Sequence, residues 1–102
     1  MHEPHNKARG EVLLHVDGRA VRLCLTLGAL AELESAFGVG SLPELAERLT
    51  ALSASDLVVV LAALTAGGDE RMSVADLVAA KIDPRAAAAA VAEAFHAAFD
   101  AE

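Results

Sequence analysis

The side chains able to do chemistry in this sequence are few and scattered. Histidines stand at His2, His5, His15 and His96, and the one cysteine is Cys24. A metal centre wants its ligands clustered at set spacings on ordered backbone. His2 and His5 share a polar N-terminal tail, while His15 and His96 each stand alone on a predicted element. A nucleophilic cysteine needs an adjacent base and an electropositive setting. His15 falls on the same strand face as Cys24, but nothing else completes a site, so Cys24 reads as a small hydrophobe. Glu32 and Glu34 are two positions apart and do not share a helix face. Glu44, Glu47, Asp56, Asp69, Glu70 and Asp76 fall mostly at helix starts or on polar helix faces, where capping and solvation account for them. Gly38-Val39-Gly40 and Gly67-Gly68 lack the Lys-Ser/Thr of a phosphate loop, and each follows a helix rather than a strand. They read as helix stops and turns. The expectation is a chain with no catalytic site, no metal and no cofactor.

Composition points the same way. Eight basic residues against fifteen acidic ones give a net charge of −7. Such a surface repels phosphate, which argues against nucleic-acid partners, and it favours partners with basic segments. Phe37, Phe95 and Phe99 are the only aromatics, so the core must be built from Leu and Val. The lone cysteine suits a reducing compartment. Residues 1–9 carry no apolar run of the leader type, and no run approaches the ~20 residues of a membrane span. A cytoplasmic location is the expectation, with residues 1–9 as a flexible tail and 10–102 as a single domain.

The elements follow from local pattern. Glu11 to Val16 and Arg19 to Thr26 alternate on either side of Asp17-Gly18, the signature of a two-residue type I′ hairpin. The turn sets Val16 opposite Arg19, Leu14 opposite Val21 and Val12 opposite Leu23. One face carries Val12, Leu14, Val16, Val21, Leu23 and Leu25. The other carries Glu11, His15, Ala20, Arg22 and Cys24, with Leu13 as its apolar exception. A lone hairpin is marginal in water, so the apolar face must lie on the helices that follow. Both edges stay open unless something covers them.

Helices are predicted over Leu27 to Phe37, with Gly38 at the C-cap; from Ser41-Leu42-Pro43-Glu44, a capping box with proline in the first turn; and over Leu57 to Ala66, opened by Ser53 to Asp56. The third of these is apolar nearly all round and belongs in the middle of a bundle. A short helix follows Ser73, and a last one runs from Asp83-Pro84 to the C-terminus. The fold class is α+β: an N-terminal antiparallel hairpin packed on four to five short helices. In the last helix Val91, Phe95 and Phe99 repeat at i, i+4, i+8 on an alanine-coated rod. That stripe closes the core or forms the edge of a groove for a partner helix. With Leu13 on the strand and Leu30 and Leu33 on the first helix, Val91, Phe95 and Phe99 make up the candidate partner-binding set.

Residues Gly10 to Gly38 resemble a small protein of alphaproteobacterial gene transfer agents and related prophages. The resemblance rests on Gly10-Glu11, the Asp17-Gly18-Arg19 turn, Leu23 through Glu34 and the capped helix at Ser41 through Leu45. It covers roughly residues 10–65, and Leu27 through Glu34 is its most specific part. It implies a phage tail tube or tail assembly chaperone-like protein. The partner so implied is the tape-measure protein or another tail protein, with a self-associating structural tail subunit as the alternative. It brings no catalytic residues.

Overall fold

Asp17 and Gly18 both take positive φ, 54° and 83°, the type I′ geometry that lets a two-residue turn follow the twist of its strands. They join β1 (Glu11–Val16) to β2 (Arg19–Cys24), paired antiparallel with Val16 opposite Arg19, Leu14 opposite Val21 and Val12 opposite Leu23. The predicted register is the observed one. The computed structural model describes residues 11–68 and 70–99, apart from the side chains of Ala98 and Phe99. The tail expected over residues 1–9 lies outside the described residues.

Five helices follow: α1 (Leu27–Phe37), α2 (Leu42–Arg48), α3 (Ala54–Ala66), α4 (Val74–Ala79) and α5 (Pro84–Phe99). The α+β class expected from the pattern is the class observed. Local chemistry explains most boundaries. The second strand, expected to run to Thr26, ends at Cys24, because Thr26 caps α1, its Oγ1 accepting from Ala29 N–H at 3.0 Å. Gly38 closes α1 in the left-handed region at φ 68°, where glycine alone has no steric cost. Reciprocal boxes of Ser53 with Asp56 and Ser73 with Asp76 open α3 and α4. The box expected at Ser41 is shifted. Ser41 Oγ accepts from Glu44 N–H at 3.3 Å, but the longer Glu44 side chain passes Ser41 and accepts from Gly40 N–H at 2.8 Å. Asp83 Oδ1 accepts from Arg85 N–H at 3.3 Å at the start of α5.

The predicted apolar hairpin face is the sheet's contribution to the core, with Leu23 fully buried and Val16 and Val21 nearly so. α3 lies at the centre, packed against α1, α4, α5 and β2. Val60, Leu61 and Leu64 of α3 are inaccessible or nearly so, and Leu33 of α1 and Leu45 of α2 meet the same core. One polar side chain is buried with them. Thr65 Oγ1 donates to Ala62 O at 2.8 Å and accepts from Met72 N–H at 3.0 Å. It thereby satisfies a buried backbone donor in the turn between α3 and α4, which would cost about 1–3 kcal/mol if orphaned. The hairpin tip is tied down as well. Asp17 N–H donates to Lys81 O at 2.9 Å, and Asp17 Oδ1 accepts from Lys81 N–H at 2.8 Å.

The two hairpin edges are not equivalent: of the two that stay open unless covered, one is covered. In a two-residue hairpin the closing pair is hydrogen-bonded and pairs alternate from there, so Arg22 and Cys24 turn their carbonyls outward from β2. The turn after α3 lies directly against them. A Cβ on Gly67 would stand 2.7 Å from Cys24 O, and one on Gly68 would stand 2.1 Å from Arg22 O. Gly67-Gly68 is a helix stop, as read, and it also covers the outer edge of β2. Only backbone without side chains fits there.

Candidate partner-binding groove

The sequence stripes on α2 and α5 converge on one surface feature. Leu42, Leu45, Ala46 and Leu49 follow helical spacing along α2, and Ala88, Val91, Ala92 and Phe95 do so along α5. Together they wall an open groove of about 980 Å³. Its floor is Leu52 and Leu57, in the α2–α3 connection and the first turns of α3. α2 packs chiefly on α1, while α5 packs on β1 and α3, so the two walls stand apart.

The groove is almost purely apolar. Among the described residues no Asp, Glu, Lys or Arg lines it, and its polar groups are Thr50, Ser53 and His96. Among the described residues no group of three or more His, Cys, Asp or Glu side chains is placed to hold a metal. What the surface offers is a desolvatable cleft between two helices, with methyl groups at Ala46, Ala88 and Ala92 where a third element would make closest approach.

Charged groups tie α2 to its neighbours. Arg48 donates to Ala51 O at 3.2 Å, reaches Asp56 Oδ2 at 2.9 Å, and lies 4.7 Å from the centroid of the Phe37 ring. One guanidinium thereby ties the end of α2 to α1 and to the first turn of α3. The Ser53 N–H, donating to Asp56 Oδ2 at 3.1 Å, and secondarily Arg48 hold the Asp56 carboxyl below the usual carboxylate range. A carboxyl whose folded value is depressed stabilises the fold above its unfolded value and loses that contribution as pH falls through the folded value. Glu70, lowered by Arg19 across a bidentate pair at 2.5 and 2.8 Å, acts in the same sense. The melting temperature should therefore fall as pH drops below about 4. Asp56→Asn should flatten that acid slope, as measured by thermal melts from pH 7 to pH 3. An unchanged slope in the variant would remove Asp56 from the acid response.

The candidate residues from the sequence separate into four groups. Val91 and Phe95 line the groove, Val91 buried at its base and Phe95 half-exposed on its wall. Phe99 ends α5, but its side chain lies outside the described residues. Leu13 is 60% exposed on β1, away from the groove. Leu30 and Leu33 are core residues at 9% and 0% exposure, because the 30/33/37 face of α1 turns inward onto α3 and the sheet. A partner cannot reach them in the folded chain. The α2 stripe was visible in the sequence as a helix face, but not as a site. Its spacing is the same whether the face is covered or left open.

Fold and groove together define a small α+β protein with an open apolar groove between two helices. Residues 9–101 match the family model described as phage tail tube protein, GTA-gp10. The chain belongs to that family of gene transfer agent and phage tail proteins. No curated protein and no solved structure matches it. Among the described residues, no helix is long and apolar enough to cross a membrane.

Proposed function

We propose that the chain is a tail assembly chaperone, which holds an apolar helical segment of another tail protein, the tape-measure protein first among them, in the groove between α2 and α5. The observation that carries this reading is the groove itself. Both walls are helices that present i, i+3/i+4, i+7 apolar stripes about two turns long, roughly 10 Å. A third helix laid between such stripes packs at the usual interaxial distance of about 8–10 Å, the helix-in-groove mode of recognition. The net charge of −7 keeps such a complex dispersed and suits a client with basic flanks. On this reading the protein binds rather than catalyses, needs no cofactor, and works in the cytoplasm while the tail is being built.

The test places a charge in the groove without touching the core. Ala46 and Ala92 are exposed groove residues, and glutamate is a good helix former. Ala46→Glu and Ala92→Glu should each weaken association with the tape-measure protein of the same gene cluster at least tenfold, because docking would then bury an unpaired carboxylate. Circular dichroism and melting temperature should stay at wild-type values. Titration calorimetry with the wild-type chain and both variants reads this directly. No association of the wild type at micromolar concentrations would sink the proposal.

The second reading is a structural tail subunit that self-associates through the hairpin edge. It is favoured by the outer edge of β1, with which no described strand pairs. Mass spectrometry of purified particles separates the two: a chaperone is absent, whereas a subunit appears at fixed copy number.

A further inference from the structure

We propose that β1 pairs with β1 of a second copy of this chain, antiparallel and in one register centred on Leu13, to give a two-fold dimer with a four-stranded sheet. The inference does not use the groove and stands or falls separately from it.

Four observations carry it. The first is that β1 is the free edge. By the same alternation that turns Arg22 and Cys24 outward on β2, Glu11, Leu13 and His15 turn their backbone groups outward on β1. Among the described residues, no group is bonded to the outward N–H of Leu13 or His15. The opposite edge is sealed by Gly67 and Gly68.

The second is that the edge is complementary to itself. Outward-facing residues must meet outward-facing residues, so the register pairs odd positions with odd positions. With Leu13 opposite its own copy, Glu11 falls opposite the partner's His15 and His15 opposite the partner's Glu11. The two ends of the strand then carry acidic–basic pairs, and the centre carries a leucine pair. Cross-strand pairs of these kinds stabilise a sheet. Glu11 lies 3.9 Å from Arg22 on its own hairpin, and the new pairing would add to that contact.

The third is Leu13. It is the one large apolar side chain on an otherwise polar face, 60% exposed, and in this register each copy covers the other's.

The fourth is the space beside the edge. The shallow depression there, about 430 Å³, is bordered on the α5 side by Ala86, Ala89, Ala90 and Glu93. An incoming strand meets the methyl groups of three alanines along α5, with Lys81, Asp83 and Glu93 also bordering the depression.

The symmetry has a consequence for the tail. A two-fold edge pair uses the same patch on both copies and closes at two. With the β2 edges sealed, the four-stranded sheet cannot extend into a ring or filament. Self-association through the hairpin would therefore give a discrete dimer carrying two grooves, not the wall of a tube.

The test uses sedimentation velocity and disulfide trapping on the full chain. The wild type should sediment as a dimer at tens of micromolar. Glu11→Lys should shift it to monomer, and Glu11→Lys with His15→Glu should restore the dimer. Hydrogen-bonded antiparallel pairs stand about 5.5 Å apart at Cα, within the span a disulfide bridges. Under mild oxidation Leu13→Cys should therefore link to itself at least tenfold faster than His15→Cys does. Glu11→Cys mixed with His15→Cys should link, whereas neither should link alone. The wild-type chain, whose Cys24 is buried, is the uncrosslinked control. A wild type that stays monomeric throughout overturns the dimer. Linking of His15→Cys as fast as Leu13→Cys overturns the register. Circular dichroism of every variant separates a lost interface from a lost fold, and recovery of the dimer in the double variant cannot arise from misfolding.

Discussion

Gly68→Ala is expected to lower the melting temperature of this domain by roughly 12 °C or more, from a cost of about 3 kcal/mol at the upper end of overpacking penalties. The cause is steric and local. The added methyl carbon would sit 2.1 Å from the carbonyl oxygen of Arg22, well inside any tolerated contact. The obstacle is strand backbone, not the tip of a flexible side chain, so relief requires moving β2 or the turn. β2 carries Val21 and Leu23 of the core on one side and pairs with β1 on the other. The turn is held by the bonds of Thr65 to Met72. Neither gives way cheaply. Gly67→Ala should follow in the same direction with a smaller effect, since its methyl would stand 2.7 Å from Cys24 O. Gly40→Ala is the control. Its methyl would meet only the Glu44 carboxylate at 3.8 Å, an ordinary contact, and its melting temperature should stay within a few degrees of wild type. Thermal melts of the three variants check the set. A Gly68→Ala protein as stable as Gly40→Ala would show that the turn does not press on β2.

Leu33→Ala is the second large effect, expected at about 2–5 kcal/mol for a fully buried leucine. A domain of this size has a total stability of about 5–15 kcal/mol, so the variant should lose a large share of its margin against unfolding. Leu33 has 0% exposure and belongs to the cluster that joins α1, α3 and the sheet. Equilibrium urea unfolding should show a lower midpoint with an unchanged slope, the mark of a stability loss without a change in the unfolded state. The contrast with the groove variants is the useful part. Leu33→Ala should reduce partner binding only in proportion to the folded fraction. Ala46→Glu should reduce binding with the folded fraction intact. A Leu33→Ala protein with wild-type stability and lost binding would reverse these assignments and place Leu33 on the interface.

The turn, register and inward face of the hairpin are legible in the residues themselves. Asp17-Gly18 admits one common turn type, the turn sets the register, and the alternation of Val12, Leu14 and Val16 against Val21 and Leu23 names the inward face. All of these are interactions among neighbours within about a dozen positions, for which short-range sterics and period-2 geometry suffice. The helix starts at Ser53 and Ser73 were legible for the same reason, since a cap is a contact between residues three apart. Thr26 as a cap was missed because its partner, Ala29, carries no matching acceptor side chain to signal it.

Other properties depended on where distant segments meet. Leu30 and Leu33 follow helical spacing as Leu42 and Leu49 do, yet the first pair is core and the second borders an open groove. Period 3.6 marks an apolar face without saying what lies against it. The helix stop at Gly67-Gly68 follows from the residues themselves, but its role as the cover of β2 depends on a strand more than forty positions away. The groove exists because α2 leans on α1 while α5 leans on β1 and α3. The residues alone determined the elements, the caps at Ser53 and Ser73, the hairpin register and the aliphatic character of the core, because local geometry and hydrophobic period act along the chain. Only the tertiary structure decided which hairpin edge is covered, which apolar stripe stays open and which leucines a partner reaches, because burial depends on the packing of segments that the order of residues does not place side by side.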